Sequence, residues 1–428
     1  MNVITPKYTK KTSSFQKIWL MMLSVGPGIF CIGYTIGTGS VTSMTKAGSE
    51  FGMQLLWVLV LSCIFAWVLM EAYGRYAVVT GQTSIFSFRT KLIAGKPIAI
   101  LIVGGIILAQ WSSLSGILGL SANAIYEIIH MFMPALPSES YWPVLGIAIA
   151  LILIMYSLLW VGQYSFFEKI LIIFVTLMAL AFIASMFVVM PSPGDILKGL
   201  NPTVPEVAGG KLMVAAFVGT TLAAPTFVVR PLLMKGKGWT VLNTKDQSRD
   251  ALVSASLMLI INLAIMAAAA GALFSEGKTV EKVMDMVYAL EPIAGQFAVA
   301  VFMIGALSAG ISSIFPILMV APLLVADYKD GELDTNSNRF KLLTGLACVV
   351  GLTVPLLGAN PIAAQILTQV AGVFVLPLVI GCIFYLINRQ DLMGEHKAGL
   401  LLNSGLVGAF IFACIISYTG FMALTEMM

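Results

Sequence analysis

Gly37-Thr38-Gly39-Ser40 and Ala223-Ala224-Pro225-Thr226 both fall inside long apolar runs, where an unbroken helix is otherwise expected. Glycine costs about 1 kcal/mol in a helix interior and proline about 3 kcal/mol. In a bilayer the freed backbone groups must also find partners, because lipid offers none. Taken singly, the glycines read as close helix packing and the proline as a kink, both common in membrane helices. Their spacing adds information. Eleven runs reach the length needed to span a bilayer: residues 19–46, 52–79, 98–128, 142–162, 167–190, 211–234, 251–274, 293–326, 340–357, 361–387 and 398–424. The two interruptions lie in the first and sixth runs, one five-helix unit apart.

Composition agrees with a membrane setting. Of 428 residues, 59% are hydrophobic and 10% charged, against about 25% charged in ordinary soluble domains. Mean hydropathy is +0.97. Such a chain lacks the polar surface to cover a soluble core, so a soluble enzyme, a disordered chain and a nucleic-acid binder are excluded. The five cysteines lie in apolar segments and read as small buried hydrophobes, not a disulfide framework. His130 and His396 fall in or near expected loops, and no His/Cys cluster has metal-ligand spacing. Two discontinuous helices, one in each repeat, surround the midplane solute site of inverted-repeat transporters. The predicted fold is therefore an all-α integral membrane protein with a LeuT-type inverted repeat. It has a first five-helix repeat at 19–190, a second at 211–387 and an extra helix at 398–424, making 11 transmembrane helices with helices 1 and 6 broken.

The head, residues 1–18, carries Lys7, Lys10, Lys11 and Lys17 without a cleavage-site pattern, and reads as a cytoplasmic tail. With the N-terminus inside, 19 of the 24 basic residues fall in inside segments. Only Lys46, Lys198, Lys211, Lys278 and Lys282 are left outside, a strong positive-inside bias. Eleven spans then put the C-terminus outside a multi-pass inner-membrane protein. Glu71 and Arg75 are spaced as an i, i+4 surface pair. No carboxylate is expected in mid-membrane.

Several stretches resemble the Nramp family of proton-coupled divalent-metal transporters. Helix 1 opens with Gly26-Pro27-Gly28. The link to helix 2 runs from Ala47-Gly48-Ser49 through Phe51-Gly52 to Leu55-Leu56-Trp57, close to the family's Ala-Gly-Ala-x-Phe-Gly-x-x-Leu-Leu-Trp. Val79-Thr80-Gly81 follows helix 2, and helix 10 carries Leu367-Thr368-Gln369-Val370 before Leu376-Pro377-Leu378. Leu392-Met393-Gly394-Glu395 is similar to the family's Leu-Met-Gly-Glu. The resemblance covers helices 1 to 10 and implies a secondary transporter.

The departures fall on the ligands. The family's helix 1 break reads Asp-Pro-Gly-Asn, and the resemblance assigns metal binding to the Asp and Asn. Here those positions are Gly37 and Ser40. The family's helix 6 methionine falls on Ala223 or Ala224, and no histidine follows. The helix 3 stretch from Ala109 to Gly119 has no Asp, Glu or His, and proton coupling needs a titrating group. The chain thus reads as a divergent Nramp-related member lacking the usual metal ligands. What remains for a solute is Gly37, Thr38, Gly39, Ser40, Ala223, Ala224 and Thr226 at the breaks, with Gln369 added by resemblance. Thr38 and Ser40 are the candidate metal-contacting hydroxyls. Ser and Thr in membrane helices also commonly bond their own backbone or a neighbouring helix.

A neutral site of hydroxyls and carbonyls suits a hydrated hard ion such as Mg2+ better than Mn2+ or Fe2+, which favour nitrogen, sulfur or carboxylate donors. The expected function is divalent-cation transport without proton coupling. The alternative is a small organic solute carried on the same scaffold. The partners implied are the lipid bilayer and the small ion or solute, with no cofactor and no nucleic acid; the oligomeric state is open. The topology is checked by cysteine labelling from the periplasmic side in a background without the native cysteines. A cysteine at Ser138 should be modified and one at Lys237 should be spared; the opposite pattern reverses the orientation.

Overall fold

The computed structural model describes residues 27–133, 135–137, 140–160, 164–205, 209–280, 285, 291–332 and 335–427. The expected tail, the start of the first span and Ser138 lie outside them. Every regular element among the described residues is helical. Among the described residues, ten helical segments are long and apolar enough to cross a membrane, and they match the second to eleventh expected spans.

The first span is represented by α1 (Gly28–Thr35) and α2 (Thr38–Phe51). There follow α3 (Leu56–Thr80), α4 (Ser84–Lys91), α5 (Gly95–Phe132), α6 (Tyr141–Leu159), α7 (Tyr164–Val188) and α8 (Pro193–Lys198). The sixth span is split into α9 (Gly210–Thr221) and α10 (Ala224–Gly236). The rest comprises α11 (Thr244–Ala272), α12 (Glu291–Asp330), α13 (Asn338–Gly351), α14 (Thr353–Leu357), α15 (Pro361–Val373), α16 (Leu376–Ile387), α17 (Gln390–Met393) and α18 (Leu400–Met427).

Both breaks are present, each narrower than the sequence reading and placed earlier. The first is Ile36 and Gly37, with Gly37 extended (φ −109°, ψ −166°). The second is Leu222 and Ala223, with Ala223 extended (φ −60°, ψ 116°). Thr38, Gly39 and Ser40 already belong to the first turn of α2, and Ala224, Pro225 and Thr226 to that of α10. Proline is tolerated in a first turn because the N–H it lacks would have no intrahelical partner there, so Pro225 starts a helix instead of ending one. The tenth span, expected as continuous, is interrupted at Phe374 and Val375. Pro377 cannot donate to the Val373 carbonyl four residues back, and its ring crowds that carbonyl.

The broken spans are enclosed. Helix α1 packs on α7, α11 and α12, and α2 packs on α9, α11 and α15. Helix α9 lies against α15, and α15 against α5. These elements surround the two breaks.

Burial of charge corrects the sequence reading. The seventh span begins at Thr244, behind a capping box between Thr240 and Asn243, and not at 251. Asp250 is therefore helical and buried. It pairs with the fully buried Arg230 at 2.7 Å. The Asp250 carboxylate also accepts the Gly28 backbone N–H at 3.1 and 3.3 Å. It thus satisfies an orphan donor and faces the positive end of α1. Glu71 does pair with Arg75, at 2.6 Å, but it is buried and not on the surface. Its other oxygen accepts from Gln247 of α11 at 2.8 Å. Asp327, also buried, accepts from the Ile85 and Phe86 N–H groups at 3.1 Å each and holds the start of α4. His130 lies in the last turn of α5, beside the loop that follows it.

Removing one partner of a buried ion pair costs about 3–5 kcal/mol, whereas replacing both with apolar groups is often neutral. Asp250→Asn should therefore lower the unfolding temperature of the purified protein far more than the double variant Arg230→Met/Asp250→Leu. Equal losses would mean that the pair's own attraction, and not the stranded arginine, carries the effect.

Candidate functional site

A cavity of about 40 Å3 lies where the two breaks meet. The first span contributes Tyr34, Thr35, Gly37 and Gly39 to its wall, and the sixth contributes Gly219, Thr220 and Ala223. Helix α5 adds Gln110, Ser113 and Ile117, which share one face at helical spacing. Helix α12 adds Ser313 and Ile317, and α15 adds Gln365, Thr368, Gln369 and Gly372. No Asp, Glu, His, Cys, Lys or Arg is among these wall residues. Elsewhere, among the described residues, no three His, Cys, Asp or Glu side chains come together as a metal cage.

Two glycines set the shape of the wall. A β-carbon at Gly39 would lie 2.7 Å from Gln369 Nε2 and 2.8 Å from Gln365 Nε2. The absence of a side chain there lets both amides close on the start of α2. A β-carbon at Gly37 would lie 1.8 Å from Ser313 Oγ. The Ser313 hydroxyl donates to the Gly33 carbonyl at 2.9 Å. It therefore occupies the space that a side chain at position 37 would need.

The hydroxyls at the breaks serve the scaffold. Ser40 Oγ donates to the Thr35 carbonyl at 2.6 Å and shares a 2.9 Å hydrogen bond with Thr220 Oγ1. Ser40 thus ties the first break to the sixth span and does not line the cavity. Thr38 opens α2, but its side chain lies outside the described residues. Ala223 faces the cavity. Ala224 borders only a neighbouring void of about 10 Å3, with Gln110 and Gly219. Thr226 is buried away from the cavity, and its hydroxyl has no partner among the described residues.

The glutamines are the most open chemistry. Gln369 accepts a short hydrogen bond from Ser43 on Oε1, and its Nε2 has no partner among the described residues. Gln365 donates from Nε2 to Ser113 Oγ at 2.8 Å, and its buried Oε1 has no partner among the described residues. Gln365 was missed in the sequence, although a signal was available. It lies one turn before Gln369 on the same helical face, in an otherwise apolar segment. Ser313 carried no comparable signal, since its role depends on the approach of α12 to Gly37.

The family model described as natural resistance-associated macrophage protein-like matches residues 28–423. The chain belongs to the Nramp family. It is therefore a multi-pass membrane transporter and not an enzyme. It is 23% identical over 418 residues to a protein of Vibrio campbellii named divalent metal cation transporter MntH, covering 96% of this chain and 94% of that one. It is 26% identical over 405 residues to the protein of the same name from Nostoc, covering 91% and 88%. Among solved structures, it matches the Eremococcus coleocola manganese transporter with TM-score 0.72 at 14% identity, covering 98% of this chain and 89% of that one. It also matches MhsT in complex with L-phenylalanine, with TM-score 0.63 at 16% identity, covering 93% and 98%. At such identities the likeness is one of fold, and it establishes the LeuT-type arrangement of the Nramp chain.

The contact between Gly37 and Ser313 generates a test of how the family's ligand set was lost. Gly37→Asp/Ser40→Asn/Ala223→Met should gain manganese or cadmium binding by calorimetry only when Ser313→Gly is added to clear space. The unaltered protein should have no micromolar site for either ion. If the fourfold variant folds and binds neither ion, the cavity has diverged in its backbone as well.

Proposed function

We propose that this Nramp protein carries a divalent cation through the cavity between its broken spans, favours a hydrated hard ion such as Mg2+ over Mn2+ or Fe2+, and is not coupled to protons. It works in the inner membrane of a bacterium, with its N-terminus in the cytoplasm and its C-terminus outside. Family membership and the divalent-cation names of its relatives support the substrate class. The observation that carries the finer reading is the neutral wall: amides, hydroxyls and backbone, with no carboxylate, thiolate or imidazole.

Size and donor type support this reading. A water needs about 10–15 Å3 of cavity space, so a 40 Å3 cavity takes one small ion with a water or two. Mg2+ demands six oxygens and releases water reluctantly. Protein oxygens must then replace part of its shell as it enters. Break carbonyls, which the negative ends of α1 and α9 bring with them, suit that role. So do the Gln369 and Gln365 amide oxygens and the Thr38 hydroxyl. Ser40, Ala224 and Thr226 act by holding the breaks. Manganese and iron gain less here, because the donors that reward them are missing. A proton route would need a titrating carboxylate or imidazole, and the α5 face on the cavity offers Gln110, Ser113 and Ile117.

One feature favours the organic-solute reading. The unpaired Gln369 Nε2 beside Gly39 is a donor, which suits a solute oxygen better than a cation. Against it, the cavity is far below the roughly 300–1,000 Å3 of ordinary small-molecule sites.

Uptake into proteoliposomes with a panel of cations and amino acids, read together with lumenal pH, separates the readings. Mg2+ should enter faster than Mn2+, without lumenal acidification above the leak. Mn2+ entry with acidification would overturn both the ion preference and the uncoupled mechanism. Uptake of an organic solute alone would put the second reading first.

A further inference from the structure

A second, larger concavity lies away from the solute path. This groove of about 580 Å3 runs between the α4–α5 link, α5, the interruption at Phe374, α16 and α18. Its wall is apolar, built from Leu92, Ile98, Phe374, Leu378, Tyr385 and Phe410. Phe374, Tyr385 and Phe410 remain exposed along it. The groove is open because Gly381 stands in its wall, where an added β-carbon would make only ordinary contact, 3.7 Å from Phe410.

One end of this groove is basic. Arg389 lies over the Tyr385 ring, with its Cζ 5.9 Å from the centroid. It donates to the Lys91 carbonyl at 2.9 Å, one residue before Leu92 of the wall. Lys96 stands exposed two residues before Ile98. The local acid is Asp391, which pairs closely with Arg389. The Arg389 guanidinium, by hydrogen bonding, holds the Asp391 carboxyl below the usual carboxylate range. With Arg389 paired to Asp391, Lys91 and Lys96 supply the positive charge at this end among the described residues.

We propose that the groove is a binding site for an anionic phospholipid, with an acyl chain along the apolar wall and the headgroup phosphate on Lys91, Lys96 and Arg389. Positive charge at the mouth of an apolar slot in a membrane-spanning chain complements an anionic headgroup above an acyl chain. Clustered lysines and arginines at the end of membrane spans attract anionic headgroups, each worth about a fivefold gain in affinity. A zwitterionic lipid would fill the same slot without that gain. In the orientation proposed above, the lipid belongs to the cytoplasmic leaflet.

Native mass spectrometry of the full-length protein, released from detergent with phosphatidylglycerol or phosphatidylethanolamine added at equal concentration, tests this. The unaltered protein should retain phosphatidylglycerol preferentially. Lys91→Gln/Lys96→Gln should bring its retention down to the phosphatidylethanolamine level. Gly381→Leu, which extends a side chain into the slot, should weaken both adducts. The lysine variants are at exposed or half-exposed positions, and retention of the parent's unfolding temperature checks their folding. If Gly381→Leu fails to fold, a photoreactive phosphatidylglycerol should still label the unaltered protein on α16. Equal retention of the two lipids, retention indifferent to the lysine change, labelling elsewhere, or a dimer that buries the groove would each overturn the proposal.

Discussion

A helix broken inside hydrocarbon must have its freed backbone groups satisfied by protein, and the centre of this molecule is organised by that requirement. Ser40 donates to the Thr35 carbonyl and Ser313 to the Gly33 carbonyl. Thr220 links the two broken spans through Ser40. The side chains beside the breaks are thus engaged in keeping the breaks open. What is left for a solute is a small neutral cavity whose unpaired polar atoms, among the described residues, are the Tyr34 hydroxyl and the Gln365 and Gln369 amides.

Charge is kept out of that cavity but not out of the spans. Arg230 with Asp250, Arg75 with Glu71, and Asp327 on the start of α4 are all held within helices by specific partners. The Arg230–Asp250 pair also reaches across to the first residue of α1. It joins the first, sixth and seventh spans at one point. A stranded charge there is costly, so this contact fixes α1 in the conformation observed. The cavity can then remain electrically neutral without leaving the bundle loosely held.

Much of the fold was legible because its signals are local. Apolar run length gave the spans, and glycine and proline inside two of them gave the breaks to within a few residues. The shift of each break arose because Pro225 is tolerated in a first turn and Gly37 needs only an extended backbone. Asp250 falls outside the expected span because the polar first turns of α11 look like loop, and only their contacts with α1, α3 and Arg230 reveal that they are buried. The site was legible in part. Gly37, Gly39, Ala223 and Gln369 do meet at the cavity, whereas Ser40, Ala224 and Thr226 stand behind it. Gln365 and Ser313 depend on the approach of α12 and α15 to the first span, which no single segment encodes.

The central claim is that the neutrality of this cavity decides which ion the protein prefers. It is tested most directly by the ratio of manganese to magnesium uptake in proteoliposomes containing Gln369→Glu. One carboxylate replaces one amide at nearly constant size, at the edge of α2 beside Gly39. The account predicts that the ratio rises above that of the unaltered protein, because Mn2+ gives up water for a carboxylate more readily than Mg2+, which dehydrates reluctantly. An unchanged ratio, with both ions still transported, would contradict it and move the selecting contacts away from the cavity.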